Sequence, residues 1–215
     1  MTNLLCVTIP EEQDTLYETL YALAMPDRKQ RADCFRRRED GLRCLVAGEL
    51  LRRTVQRELG LANFAVITDE AGKPRIADQN GFHFNLSHSG NRVAIAWGDS
   101  PVGVDVQQMR ADVNREALAK RFFTAEEQQF IFEEPEGINE RFYRIWTGKE
   151  SYLKYLGTGL TKPLGSFSVL SPEITPMVKT EYLPDGYCLS LCCGDPNCLI
   201  RMDFTSFTLE IPKQR

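Results

Sequence analysis

The amino-acid sequence predicts an α+β fold of two similar halves, residues 1–100 and 101–215. Three observations lead there. Strand-like and helix-like segments come in blocks: a strand, helices and strands, then helices and strands again. No linker, low-complexity tract or heptad array interrupts them. The composition, 42% hydrophobic and 26% charged, is that of a globular chain able to bury one large core or two small ones.

The elements follow in order. Residues 1–9 alternate loosely and predict a strand. DTLYETLYALAM is helical and gives way at Pro26. PDRKQRADCFRRREDGLRCLVAGELLRRTVQRELGL reads as one or two helices, because Leu42, Leu45, Val46, Leu50 and Leu51 recur at helical spacing, with Gly60 at the end. NFAVITDEAGKPRIADQNG is a short strand and a turn at Gly72-Lys73-Pro74. FHFNLSHS and RVAIAWG flank Gly90-Asn91 as a hairpin, and PVGVDVQ continues the meander as a third strand. REALAKRFFTAEEQQFIF and NERFYRIWTGKESYLKYLG are helices. SFSVLS, GYCLSLCC and FTSFTLEI are the closing strands.

Composition narrows the function classes. There is no run of about 18 apolar residues, so no membrane span is expected. The opening stretch MTNLLCVTIPEEQDTLYETL lacks a basic region followed by an apolar core, which makes the cytoplasm the expected location. Seven cysteines, an odd number, argue against a disulfide framework. Cys188, Cys192, Cys193 and Cys198 cluster without a C-x2-C pair or a nearby histidine, which favours small buried residues over a zinc site. Only His83 and His88 occur, so a His-rich metal centre is not expected. The net charge is −4, yet residues 28–57 carry +6 and the remainder −10. A local basic patch on an acidic chain suits a small polyanion better than a long nucleic acid.

Three constellations carry chemistry. In VGVDVQ, strand alternation points Val102, Val104 and Val106 to one face and Gly103, Asp105 and Gln107 to the other. Asp105 is then an acid on an open face, with Gly103 leaving room for a ligand beside it. In RIWTGKESYLKYLGTGL, stepping 100° per residue puts Phe142, Ile145, Trp146, Tyr152, Leu153 and Leu156 within about 60° of Lys149. An unpaired ammonium in such a stripe costs several kcal/mol, so Lys149 must meet an anion or reach solvent. Glu150 and Lys154 fall on the flank, where spacing alone suggests a surface bridge worth only about 0.3–0.5 kcal/mol. In NLSHSG, Ser87, His88 and Ser89 form a polar hairpin tip that can cradle a phosphate or serve as ordinary turn chemistry. Thr124 and Glu127 form a capping box, which gives Glu127 a structural reading.

Together these residues resemble the signature of the Sfp-type 4′-phosphopantetheinyl transferases. VGVDVQ, FFTAEE and FYRIWTGKESYLKYLGTGL match its three principal motifs in order, and the basic helix, GKP and FNLSHSG match its upstream elements, over roughly residues 20–170. The resemblance implies a pseudo-twofold pair of α+β halves with the cofactor cleft between them. It implies transfer of the phosphopantetheine arm of coenzyme A to a serine of an apo carrier protein, acyl or peptidyl, in fatty-acid, polyketide or non-ribosomal-peptide synthesis. Carried over, Arg28, Arg31, Arg43 and His88 hold the 3′-phosphate and adenine end. Lys73, Ser87 and Lys154 contact phosphates, and Asp105 and Glu150 bind Mg²⁺. Glu150, Asp105 and Lys154 are the catalytic group, with Glu150 as base. Lys149 is placed on the cofactor side or as an anchor for Glu150. Gln107 stands where the fullest motif has a third acid, which weakens its claim as a metal ligand. The resemblance also implies a monomer with no nucleic-acid or membrane partner. Two rivals remain at this level: a nucleic-acid binder using residues 28–57, and an inactive relative that binds coenzyme A.

Overall fold

The computed structural model describes residues 1–11, 13–70, 72–195 and 200–209. Its first half runs β1 (Thr2–Thr8), α1 (Gln13–Leu23), α2 (Pro26–Asp33), α3 (Arg38–Leu59), β2 (Val66–Thr68), β3 (Pro74–Ile76), β4 (His83–Ser89) and β5 (Arg92–Gly98). The second half runs β6 (Val102–Gln108), α4 (Arg115–Phe122), α5 (Ala125–Phe132), α6 (Ile138–Leu156), β7 (Val178–Leu183) and β8 (Tyr187–Cys193). A last strand, β9 (Ile200–Ser206), follows.

Local chemistry sets these boundaries. Pro26 opens α2, where its missing N–H costs nothing. Gly60 ends α3 and Gly157 ends α6, both in the left-handed conformation that a glycine adopts without strain. The predicted single helix over 115–132 is two: Phe123 is extended, and Thr124 starts α5 with a complete capping box to Glu127.

The two halves repeat one topology. In the first, strands are ordered β4-β5-β1; in the second, β7-β8-β6; every one of these pairs is antiparallel. Each half is therefore a strand, three helices and a hairpin whose last strand pairs with the first. The predicted meander does not form. β6 leaves the β4–β5 hairpin and opens the second sheet against β8. The predicted strand SFSVLS is irregular, with a 3-10 turn at Leu164–Ser166, whereas β7 was not foreseen. β9 lies beyond residue 100 yet pairs parallel to β1, so the first sheet borrows its edge from the end of the chain.

The halves pack as four layers. One face of the first sheet carries Val93, Ile95, Trp97 and Phe84 against α1–α3. Its other face presents Leu4, Cys6, Ala94 and Ala96 to Val102, Val104, Val106, Leu189 and Leu191 of the second sheet. Each of these valines and leucines contributes about 1.5–3 kcal/mol on burial. The alanines let the sheets approach. α4–α6 cover the far side, around Phe123, Phe142, Ile145 and Leu153. Covered on both faces, β8 is buried along all seven residues.

Candidate active site

The site lies where β6 meets α6 and the tip of β4. As alternation predicted, Val102, Val104 and Val106 face the core between the sheets. The opposite face, however, is not open. A Cβ on Gly103 would overlap Ser151 O and Tyr155 N of α6, so Gly103 admits a helix rather than a ligand. That close approach brings Lys154 down onto the strand. Asp105 is only 2% exposed.

Asp105 Oδ1 accepts hydrogen bonds from Lys154 Nζ at 2.7 Å and Ser87 Oγ at 2.9 Å. Its Oδ2 accepts one from Gln107 Nε2 at 3.2 Å. Lys154 also donates to Ser87 Oγ and Val104 O. The surface bridge that spacing allows between Glu150 and Lys154 does not form, because Lys154 turns to Asp105. Glu150 is left half-buried, with no hydrogen bond or ion pair among the described residues. Burial first, then the charge of Asp105, pushes its carboxyl above the ordinary glutamate range, against a smaller lowering by Lys154.

Among the described residues, no strand lies beside the outer edge of β6. Side chains satisfy its backbone instead. Val104, Val106 and Gln108 donate their N–H groups to Asn85 Oδ1, Ser87 Oγ and Ser89 Oγ at 2.9, 3.2 and 3.0 Å. Val102 O accepts from Lys73 Nζ, which also reaches Tyr155 O, while Val104 O accepts from Lys154. Desolvation lowers the Lys73 pKa. The motif NLSHS is thus a ladder of three rungs joining the halves. Asn85 had no assigned role in the sequence, and Ser89 was expected at a phosphate cradle or a turn rather than on the β6 edge. Their signal was the period-two polar face Asn85, Ser87, Ser89, opposite Phe84 and Leu86.

The other expected residues divide. Arg43 donates to Gly90 O at 2.7 Å, pairs with Asp40, and sits near enough to His88 to act on it. Desolvation, then the charges of Arg43 and Lys154, holds the His88 imidazole below its ordinary range. Arg28 lies against Gly48 of α3 with its side chain 12% exposed, and Arg31 is exposed. No described contact ties either to the Asp105 cluster. Beside Lys154, a cavity of about 170 Å³ is bounded by Lys73, Asn85, Gly157 and Gly159.

Lys149 is not in this cleft, contrary to its expected place on the cofactor side. It is fully buried and forms an ion pair with Glu127 Oε2 at 2.8 Å. It also donates to Leu164 O at 2.8 Å and to Phe167 O, and lies over the Phe167 ring. Glu127 in turn accepts from Thr124 N and Val169 N. The anion the stripe required is supplied from α5, and the pair fastens α6 to residues 164–169. Burial lowers the Lys149 pKa despite Glu127.

Among the described residues of the cysteine cluster, Cys188, Cys192 and Cys193 are small buried side chains, and burial pushes Cys188 up to about 11 and Cys192 up to about 12. Cys198 lies outside the described residues. Among the described residues no three of His, Cys, Asp or Glu gather. The Asp105–Glu150 pair with Gln107 beside it does fit a hard divalent cation. The two carboxylates act on each other through their like charge, and Glu150 makes no hydrogen bond or ion pair among the described residues.

Two family models match the chain. The 4′-phosphopantetheinyl transferase superfamily model matches residues 101–195, and the model for the N-terminal part of a 4′-phosphopantetheinyl transferase matches residues 10–99. The chain belongs to the 4′-phosphopantetheinyl transferase family and is a transferase of the Sfp type. It is 31% identical over 195 residues to 4′-phosphopantetheinyl transferase Sfp of Bacillus subtilis (strain 168), covering 84% of this chain and 86% of that one. It is 33% identical over 202 residues to 4′-phosphopantetheinyl transferase ffp of Bacillus subtilis, covering 87% and 88%. With HetI of Nostoc sp. it shares 31% over 197 residues, covering 85% and 83%.

Proposed function

We propose that this transferase moves the 4′-phosphopantetheine arm of coenzyme A onto a serine of an apo acyl or peptidyl carrier protein, with Mg²⁺ held by Asp105 and Glu150. The observation that carries the reading is Glu150: a half-buried carboxylate with no hydrogen bond or ion pair among the described residues, raised by burial and then by the charge of Asp105. Mg²⁺ would supply positive charge to the diphosphate. Gln107 engages Asp105 through its amide nitrogen, which leaves the two acids as the metal's protein ligands.

The chain's own groups account for the remaining steps. The serine oxygen attacks the β-phosphorus of coenzyme A, and the bond from that phosphorus to the bridging oxygen breaks. The leaving 3′,5′-ADP keeps the electron pair. Glu150 accepts the serine proton, a task suited to a carboxylate whose basicity is raised by burial and by Asp105. Lys154 and Lys73 offset charge on the phosphates. Arg43 and His88 lie on the same side and suit the nucleotide end.

The described cysteines are all free, which fits a reducing cytoplasmic setting. Each half covers the other's sheet, which supports a monomer. Among the described residues no helix is long and apolar enough to cross a membrane.

The test is direct. The protein is mixed with apo carrier protein, coenzyme A and Mg²⁺, and the carrier is weighed. A gain of one phosphopantetheine arm is expected, and Glu150→Gln should lower its rate at least about a hundredfold while the protein stays folded. Several carriers with no gain would overturn the reading; near-normal turnover by Glu150→Gln would remove the base.

A further inference from the structure

The first half carries a cavity of about 210 Å³ that shares no residue with the one beside Lys154. Three strands bring its residues into one row. Trp97 of β5 stands opposite Asn3 of β1, and Asn3 stands opposite Arg201 of β9. Asp203, two residues on, shares that face of the sheet. Arg57 and Glu58, in the last turn of α3, complete the lining.

Trp97 is the residue out of keeping. It belongs to the core under α1–α3 and is only 5% exposed, yet its indole N–H has no hydrogen-bond partner among the described residues. A buried donor without an acceptor is destabilising, and folded proteins keep few of them. Phenylalanine would fill a core without that penalty. The ring face is already covered, because the Arg57 guanidinium lies 5.0 Å from its centroid. What is left unsatisfied is the N–H at the ring edge.

The neighbouring donors are spare in the same way. Arg57 Nε donates to Glu58 Oε1 at 2.9 Å, and Arg201 Nε lies 3.2 Å from Asp203 Oδ2. Each guanidinium is thus held through one nitrogen by an acid close in sequence. The terminal nitrogens of both have no acceptor among the described residues. The two acids also limit the charge that can enter. Two arginines and two carboxylates leave the lining neutral, so a second negative charge on a ligand would meet Glu58 and Asp203. A flat anion of one charge suits such donors best, since a guanidinium pairs with a carboxylate through two parallel hydrogen bonds.

We propose that this cavity is a binding site for a small monocarboxylate, held by the indole N–H of Trp97 and the terminal nitrogens of Arg57 and Arg201. It stands apart from the transferase reading, and its test needs no turnover. The chain has two tryptophans, so ¹⁵N-labelled protein gives two indole N–H signals, and Trp97→Phe assigns them. The full chain is titrated with sodium acetate and sodium benzoate, and with sodium phosphate and sodium chloride at matched ionic strength. The carboxylates should move the Trp97 signal saturably, with a Kd on the order of 1 mM, and leave the Trp146 signal in place. Arg57→Gln and Arg201→Gln, both at exposed positions, should each weaken acetate about tenfold, as for loss of a charge-assisted hydrogen bond. Trp97→Phe should weaken it by a similar factor, read by calorimetry.

A Trp97 signal that stays still, or that moves with chloride as it does with acetate, would overturn the proposal. So would saturation unchanged in both arginine variants, or phosphate binding more tightly than either carboxylate. If Trp97→Phe does not fold, Trp146→Phe assigns the signals and the arginine variants decide the matter. A Trp97 that serves packing alone would lower the thermal midpoint when replaced and show no saturable response to carboxylates in the wild type.

Discussion

β1 and β6 open the two halves, and each pairs on one side with the last strand of its own half, β5 or β8. They differ on the other side. β1 gains a seventh-residue-to-seventh-residue partner in β9, backbone to backbone. β6 gains only side chains: Asn85, Ser87 and Ser89 for its N–H groups, Lys73 and Lys154 for its carbonyls. A backbone partner satisfies an edge whatever its side chains are. A side-chain partner satisfies it only with particular residues, and places polar atoms where a strand would have lain. The candidate site occupies that place. Its lysines are therefore shared between the junction of the halves and any bound phosphate.

The largest effect concerns what seats α6 above β6. Lys149→Met should strand Glu127 in the core and cost about 3–5 kcal/mol. The matching change in α3, Glu49→Gln, touches a partly exposed network with Arg52 and Arg53 and should cost no more than about 1 kcal/mol. Urea unfolding measures both. Equal costs would mean that the second half does not depend on its buried pair as described.

Ser87→Ala tests the edge itself. It removes the acceptor of Val106 N–H and a partner of both Asp105 and Lys154, at a cost of about 1–3 kcal/mol. Thr205→Ala on β9 leaves the backbone pairing of β1 intact and should lie within about 0.5 kcal/mol of wild type. Hydrogen exchange gives the residue-level readout: the Val106 amide should lose protection in Ser87→Ala. Unchanged protection there, with unchanged stability, would dissolve the contrast between the edges.

The sequence carried the helices well because their signals are local: Pro26, Gly60, the Thr124 box and Gly157 all lie at their own boundaries. Asp105 and Lys149 stood out for a similar reason, as charges out of place on periodic elements, whereas Glu150 and Lys154 read by spacing as a surface bridge and entered the site through the motif resemblance. Partners were not legible. The role of Gly103 depends on the backbone of α6 some fifty residues later, and the anion for Lys149 comes from a residue with a sufficient local role as a cap. The ladder was hidden because Asn and Ser near a hairpin tip already read as turn residues. The departure of β6 from the hairpin has no local mark, since periodicity tells which face is buried and not which strand lies beside it.

The smallest effect tests whether the cation reading belongs to the β6 edge. Glu150 has a folded pKa above its ordinary 4.5. A raised carboxyl contributes stability that is fully present below the unfolded value and is lost as pH rises through the folded one. A bound cation favours the ionised form, so it should reverse that loss: Mg²⁺ should bind more tightly, and raise the thermal midpoint more, as pH climbs from about 5 toward 8. Glu150→Gln should flatten this dependence. Gln107→Glu should sharpen it. That change removes a donor to Asp105 and adds a third carboxylate, so without cation it should destabilise by about 1 kcal/mol, and with cation it should bind up to about tenfold tighter. Calorimetric titration with MgCl₂ across this range reads both slopes. If Mg²⁺ binds equally at both ends of the range, or Gln107→Glu binds it no better, the cation is not held at the β6 edge, where Asp105 then serves only to hold Lys154 and Ser87.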